Sequence, residues 1–185
     1  MKDKNGLFEK IETHLSGCYE IIPVVRGDIR GSFIKTFHEP AFKELELETN
    51  FKEEYFSTSK KNVIRGLHFQ IPPEDHVKLV YCAEGNVMDV AVDLRKSSQT
   101  YGKFHISTLN SQNGNMIYIP KGFAHGFCAI SDIAVIVCKT TTVYSAAHDK
   151  GILWNSVNIP WKCDEPILSE KDKLHPTLAE FNSPF

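Results

Sequence analysis

The segment Asn86-Val87-Met88-Asp89-Val90-Ala91-Val92-Asp93 constrains the fold more than any other. Strict alternation puts Val87, Asp89, Ala91 and Asp93 on one face of a strand and Met88, Val90 and Val92 on the other. Glu84-Gly85 just before it reads as a tight hairpin turn, and 110–115 is an Asn/Ser/Gly turn. Similar short runs, bounded by turn residues, cover 18–25, 31–37, 51–59, 78–83, 103–109, 115–119, 125–130 and 133–143. Twelve Phe and six Tyr reinforce the bias toward strands. About nine short strands at this spacing predict an all-β antiparallel sandwich or barrel of the jelly-roll kind. Helix is confined to short flanking pieces. Leu7, Phe8, Ile11 and Leu15 have helical spacing within 5–15, and Pro40 can open a short helix through 41–47.

The chain has 185 residues and no internal repeat, so a single domain over 1–185 is expected, with 1–15 as an N-terminal appendage. A hydrophobic content of 42% and a charged content of 24% exclude a disordered chain and a coiled coil. Net charge is −2 and no Lys/Arg run exceeds two residues, which argues against nucleic-acid and polybasic membrane partners. No apolar run approaches the ~18 residues of a membrane span. The first ten residues are polar and charged, unlike a secretory signal. Cys18, Cys82, Cys128, Cys138 and Cys163 are odd in number and not closely paired, as expected of reduced thiols in a cytoplasm.

Chemistry concentrates in a few places. Asn62 to Gln70 carries Arg65, His68 and Gln70 on an otherwise apolar run, with Ile64, Gly66, His68 and Gln70 on one side if the strand is regular. Ile119 to Phe127 delivers His125 after a Pro/Gly turn. Lys78 opens an apolar strand and Tyr144 ends another. A lone His in such a setting is more simply a core residue satisfied by one hydrogen bond. A His, a Lys and a Tyr at strand ends of one barrel make a set for proton abstraction beside a carbonyl. Asp89, mid-strand among apolar neighbours, reads as a buried, paired acid. Asp93, near the strand end, reads as a turn cap or a water-facing group.

A metal site must be weighed. The chain has no His-x-His, since the matching pair is His68 and Gln70, but His68, His76 and His125 could form a three-His site. His14, His38, His105, His148 and His175 lie in polar or loop-like settings and are expected to face solvent. No Gly-rich phosphate loop, Gly-x-Ser-x-Gly or Cys-x-x-Cys occurs.

Landmark segments run in order along the chain. They are Gly27-Asp28-Ile29-Arg30-Gly31-Ser32-Phe33, the stretch Ser59 to Gln70, Asp89 to Arg95, Ile119 to Phe127, Lys139-Thr140-Thr141 and Pro166-Ile167-Leu168-Ser169-Glu170-Lys171-Asp172. In these the chain resembles the dTDP-4-dehydrorhamnose 3,5-epimerase family, from about Cys18 to Leu178. The resemblance implies a cupin-type jelly roll, a homodimer, no metal or other cofactor, and a nucleotide-linked 4-keto-6-deoxy sugar as substrate. It implies His68 as the base, oriented by Asp172, with Lys78 near the sugar carbonyl and Tyr144 as proton donor. Arg65 matches a pyrophosphate contact, His125 and Asp89 a second His–Asp pair lining the pocket, and Arg30 and Phe33 residues that reach the nucleotide, often from the partner subunit. Gln70 and Lys171, within the same segments, are taken as substrate-binding.

Departures from the family pattern also fall at the pocket. Glu53, Glu54, Tyr55 and Phe56 stand where family members carry Gln-Asp-Asn-His, and Lys35 stands where a Glu follows the nucleotide-contacting Phe. Glu53 and Tyr55 therefore join the candidate substrate contacts, and a GDP- or CDP-linked 4-keto sugar, or inversion at C3 or C5 alone, stands as the alternative. Two further classes remain: a metal-dependent cupin enzyme, and a sugar-nucleotide binding module without catalysis.

Overall fold

The computed structural model describes all residues, 1–185. In chain order it contains β1 (Phe8–Glu12), β2 (Tyr19–Pro23), β3 (Val25–Asp28), β4 (Gly31–Ile34), α1 (Glu39–Glu44), β5 (Glu53–Lys60) and β6 (Ile64–Gln70). There follow β7 (Lys78–Glu84), β8 (Asn86–Asp93), β9 (Phe104–Asn110), β10 (Met116–Ile119), β11 (Phe123–Ala129), β12 (Ile133–Thr140), β13 (Asp149–Gly151) and α2 (Glu170–Lys173). Two sheets face each other. One is six-stranded in the order β1-β2-β10-β7-β12-β5, the other five-stranded in the order β13-β6-β11-β8-β9. From β5 to β8, and again from β9 to β13, successive strands switch sheets, and every named strand pair is antiparallel. This is the jelly roll expected from the strand spacing, with β3 and β4 set apart as a two-stranded ribbon.

The alternation in β8 works as read. Val87 and Ala91 join the core between the sheets, with Val80, Leu109, Ile117 and Phe127. Met88, Val90 and Val92 point the other way, into a cluster roofed by Ile152, Val157 and Ile159 of the C-terminal segment. Both faces are covered, so even the acids of β8 are buried. Asp93 is a turn cap, but not a water-facing one. Its carboxylate accepts from Arg95 Nε at 2.9 Å, Ser98 Oγ at 2.6 Å and Thr100 Oγ1 at 2.7 Å. Burial pushes this carboxyl up, and those donors more than offset it, holding it at about 2.

Residues 8–12 correct the helical reading of 5–15. Phe8 to Glu12 pairs with Pro23 to Tyr19, and Phe8 packs edge-on against Phe42 with ring centres 5.2 Å apart. The strand satisfies its backbone on β2 and buries Phe8 beside Leu45 and Leu79, a gain that outweighs a weak helical spacing. The helix after Pro40 forms, burying Ala41 and Phe42 in the same cluster, although it ends at Glu44.

A second correction concerns β6. Its pairing to β11 runs His68↔His125 and then Arg65↔Phe127, so three residue steps on β6 oppose two on β11. This bulge shifts the phase of the strand. Arg65 and His68 reach one cavity together, while Leu67 and Phe69 turn to the outer cluster. Gly66 makes the bulge possible. It has φ +135°, and a Cβ there would lie 2.6 Å from Gly126 Cα and 2.9 Å from the His125 carbonyl oxygen. Gly66→Ala should cost about 2–4 kcal/mol from backbone strain and overpacking. Thermal unfolding should show Tm lowered by roughly 5–15 °C. An unchanged Tm would mean that β6 and β11 can part freely here.

Candidate active site

Two adjoining cavities open between the sheets. The larger, of about 520 Å³, is lined by Arg65, His68, Lys78, His125, Lys171 and Asp172 among others. The smaller, of about 310 Å³, is lined by Glu53, Gln70, His76, Thr140, Tyr144 and Asp149. Tyr55, His68 and Lys78 border both.

His68 Nε2 lies 2.7 Å from Asp172 Oδ1. Asp172 is placed by a short helix whose cap is legible as Ser169-x-x-Asp172, with the Asp172 amide donating to Ser169 Oγ at 3.1 Å. Burial pushes the Asp172 carboxyl up, but the bonds from His68 and the Gly66 amide more than offset this and hold it below its ordinary value. An ionised Asp172 can only accept, so Nε2 of His68 carries a proton, and in the neutral form of the ring the lone pair is on Nδ1. Nδ1 has no protein partner.

Lys78 begins β7 between Ile119 of β10 and Thr140 of β12. Its ammonium is buried and donates to the His68 carbonyl at 3.2 Å. Burial pulls its pKa down, as expected of a cation lifted out of water. His125 Nε2 donates to Asp89 Oδ2 at 2.9 Å, and Asp89 is wholly buried.

Tyr144, 62% exposed, sits on the loop after β12. Its amide donates to Glu53 Oε2 at 2.6 Å and its hydroxyl to Asp149 Oδ2 at 3.4 Å. Gln70 spends its amide on that loop. Its Nε2 donates to the carbonyls of Glu74 at 2.8 Å and Val143 at 3.2 Å, and its Oε1 accepts from the Ser145 amide at 2.6 Å. Gln70 thus borders the smaller cavity while pinning the segment that carries Tyr144. Lys171 is ion-paired to Asp149, and Arg65 donates to Ser59 Oγ at 3.0 Å.

Arg30 and Phe33 are not brought to these cavities. They lie on the exposed β3–β4 ribbon, where Arg30 pairs with Asp28 and Phe33 is 60% exposed. His68, His76 and His125 do not converge on a common point either, and their ring nitrogens contact Asp172, Thr142 and Asp89 respectively. Burial, the largest cause, lowers the His76 pKa to about 3, so this ring stays neutral.

A family model for dTDP-4-dehydrorhamnose 3,5-epimerase matches residues 12–180. The chain belongs to the dTDP-4-dehydrorhamnose 3,5-epimerase family. A dTDP-4-dehydrorhamnose 3,5-epimerase of Shigella flexneri is 44% identical over 165 residues, 88% of this chain and 91% of the relative. A dTDP-4-dehydrorhamnose 3-epimerase of Streptomyces niveus is 36% identical over 169 residues, 90% of this chain and 82% of the relative. The solved structure of a dTDP-6-deoxy-D-glucose-3,5-epimerase from Legionella pneumophila, in complex with dTDP-4-keto-L-rhamnose, superposes with a TM-score of 0.90. It is 34% identical, and the match covers 95% of each chain. As a member of the epimerase family the chain is an isomerase on a cupin-like jelly roll. No helix is long and apolar enough to cross a membrane.

Reading the sequence missed two residues of this epimerase fold. Asp149 accepts from both Tyr144 and Lys171. His175, expected in solvent, is largely covered and packs its ring on His68, with centroids 5.6 Å apart. His105 is likewise not free, lying 3.2 Å from Glu20 Oε1. No sequence signal marks Asp149. His175 follows Asp172 by three positions, the spacing that puts two side chains on one side of a helical turn.

Because the folded Asp172 carboxyl titrates below its ordinary value, it adds stability at pH above about 4 and loses that contribution as pH falls through the folded value. Asp172→Asn should therefore show a flatter dependence of Tm on pH than the parent chain below about pH 4. Calorimetry across the acid range measures this, and parallel curves would contradict it.

Proposed function

We propose that the chain is a cofactor-independent epimerase. It inverts C3 and C5 of a nucleotide-diphosphate 4-keto-6-deoxy sugar, with the thymidine nucleotide first among candidates, in deoxysugar biosynthesis. One observation carries the reading. His68 and Lys78 stand where the two cavities meet, with Asp172 on one side and Tyr144 on the other.

The chemistry follows from those positions. A 4-keto group acidifies the hydrogens on C3 and C5. His68 Nδ1, its lone pair free, takes one of them, and Asp172 stabilises the imidazolium that forms. The electron pair left on carbon moves onto O4 as an enolate. Lys78 supplies a fixed donor for that charge, in a site where burial makes it count. When the enolate collapses, Tyr144 gives its proton to the opposite face of the carbon, and the centre is inverted. A base on one face and an acid on the other suffice without a redox group.

Arg65 and Lys171 supply positive charge at the mouth of the larger cavity, as a diphosphate requires. Asp89 holds His125 at the cavity wall, and Glu53 and Tyr55 border the sugar end. Arg30 and Phe33, displayed on the outer ribbon, would serve the cavity of a second copy in a homodimer. The Legionella pneumophila complex with dTDP-4-keto-L-rhamnose supports the thymidine choice, and the Streptomyces niveus 3-epimerase keeps single-site inversion as the second reading.

The test is incubation in heavy water with dTDP-4-keto-6-deoxyglucose, followed by mass measurement of the sugar nucleotide. Uptake at two carbons is expected; uptake at one indicates the single-site reading. Lack of uptake with this substrate and with its GDP- and CDP-linked counterparts would overturn the proposal. His68→Asn should slow exchange by about 100-fold or more. Tyr144→Phe should retain exchange yet block inversion, and equal loss of exchange in both variants would refute this division of roles.

A further inference from the structure

His175 has no part in the proton transfers above, yet its surroundings are specific. Its Nε2 is buried and has no hydrogen-bond partner. A buried polar atom left unpaired is costly and calls for a missing partner. The atom lies 3.9 Å from Asp172 Oδ1, which is itself 2.7 Å from His68 Nε2. One ligand atom from each of these three residues falls within 4.8 Å of the others, and no other trio of His, Cys or acidic groups in the chain does so. The placement is held by the fold. Gly151 of β13 pairs with His68 of β6, and the face of the His175 ring rests on Gly151, where a Cβ would meet Nε2 at 2.4 Å.

We propose that His68, Asp172 and His175 form a binding site for a zinc ion, and that the ion switches the enzyme off. Ligand atoms around a tetrahedral zinc with bonds of about 2.0–2.1 Å lie about 3.3 Å apart. The two distances to Asp172 Oδ1, 2.7 and 3.9 Å, bracket that value, and all three ligand atoms lie within 4.8 Å of one another, so side-chain adjustment would close them around the ion. Two imidazoles and one carboxylate suit a borderline ion such as zinc and leave magnesium and calcium, which prefer oxygen alone, poorly served. The larger cavity reaches His68 and Asp172, giving the ion an entry and room for a water as fourth ligand. This site differs from the His68, His76 and His125 set considered from sequence.

Inhibition follows from proton bookkeeping in His68. A neutral imidazole has one proton. With Nε2–H on Asp172, Nδ1 holds the lone pair that acts as base. When zinc takes Nε2, that proton moves to Nδ1, and no lone pair faces the substrate. No net proton is gained or lost by the ring, and nothing is oxidised or reduced. The ion binding stands on geometry alone, whereas its effect on turnover rests on His68 being the base.

The experiment measures zinc binding to the full chain by competition with a chromophoric chelator, and deuterium exchange with and without zinc. One tight ion per chain is expected, with exchange lost on its addition and restored by chelation. His175→Phe keeps a ring against His68 and Gly151 but offers no ligand atom. It should retain exchange in metal-free buffer and bind zinc more than about tenfold more weakly. Unchanged zinc affinity in His175→Phe, or no saturable binding by the parent chain, would overturn the site. Zinc bound through His175 with exchange unaffected would leave the site standing and remove His68 as the base. Should that variant not fold, cobalt(II) added to the unmodified chain gives the independent readout. A visible spectrum of tetrahedral intensity supports the site, and the spectrum of hexa-aqua cobalt refutes it.

Discussion

The close backbone approach between β6 and β11 governs this molecule. Gly66 and Gly126 let the two strands come nearer than any side chain would permit, and the bulge that results sets which residues of β6 face inward. Without it, alternation would carry Arg65 away from the cavity that holds His68. With it, Arg65 and His68 share that cavity, and His68 stands directly across from His125. A charged contact for substrate and an imidazole are thus obtained from one strand whose other residues fill the outer core.

The charges gathered around that strand are tolerable because most have partners. Asp172 accepts from His68, Asp89 accepts from His125, and Asp93 accepts from three residues of its own turn. Lys78 is the exception, buried with a single carbonyl for company. A buried cation with spare donors beside a cavity is poised for an anion that arrives with the reaction. The stability given up there is consistent with a group kept for chemistry and not for packing.

Much of this could be read from residue order. Strand spacing sufficed for the jelly roll, the alternation in β8 for its two covered faces, and the resemblance for the residues that meet at His68. What escaped was non-local. The strand at 8–12 owes its existence to pairing with β2 and to Phe42, neither of which a local window sees. The phase of β6 depends on Gly126, about sixty positions away in sequence. Asp149 and His175 gain their partners only once β13 lies beside β6. Arg30 and Phe33 lie on the outer ribbon, apart from the residues that line both cavities.

Gln70 adds a geometric consequence. It lies two residues after His68 on β6, and its amide grips the loop that displays Tyr144 on both sides of that tyrosine. One imidazole is held by the strand itself, and the loop that carries one phenol is held in part by a side chain of the same strand. β6 therefore works as a caliper whose two jaws are mounted on one bar. The bar also has a brace, because Glu53 of β5 in the opposite sheet takes the Tyr144 amide.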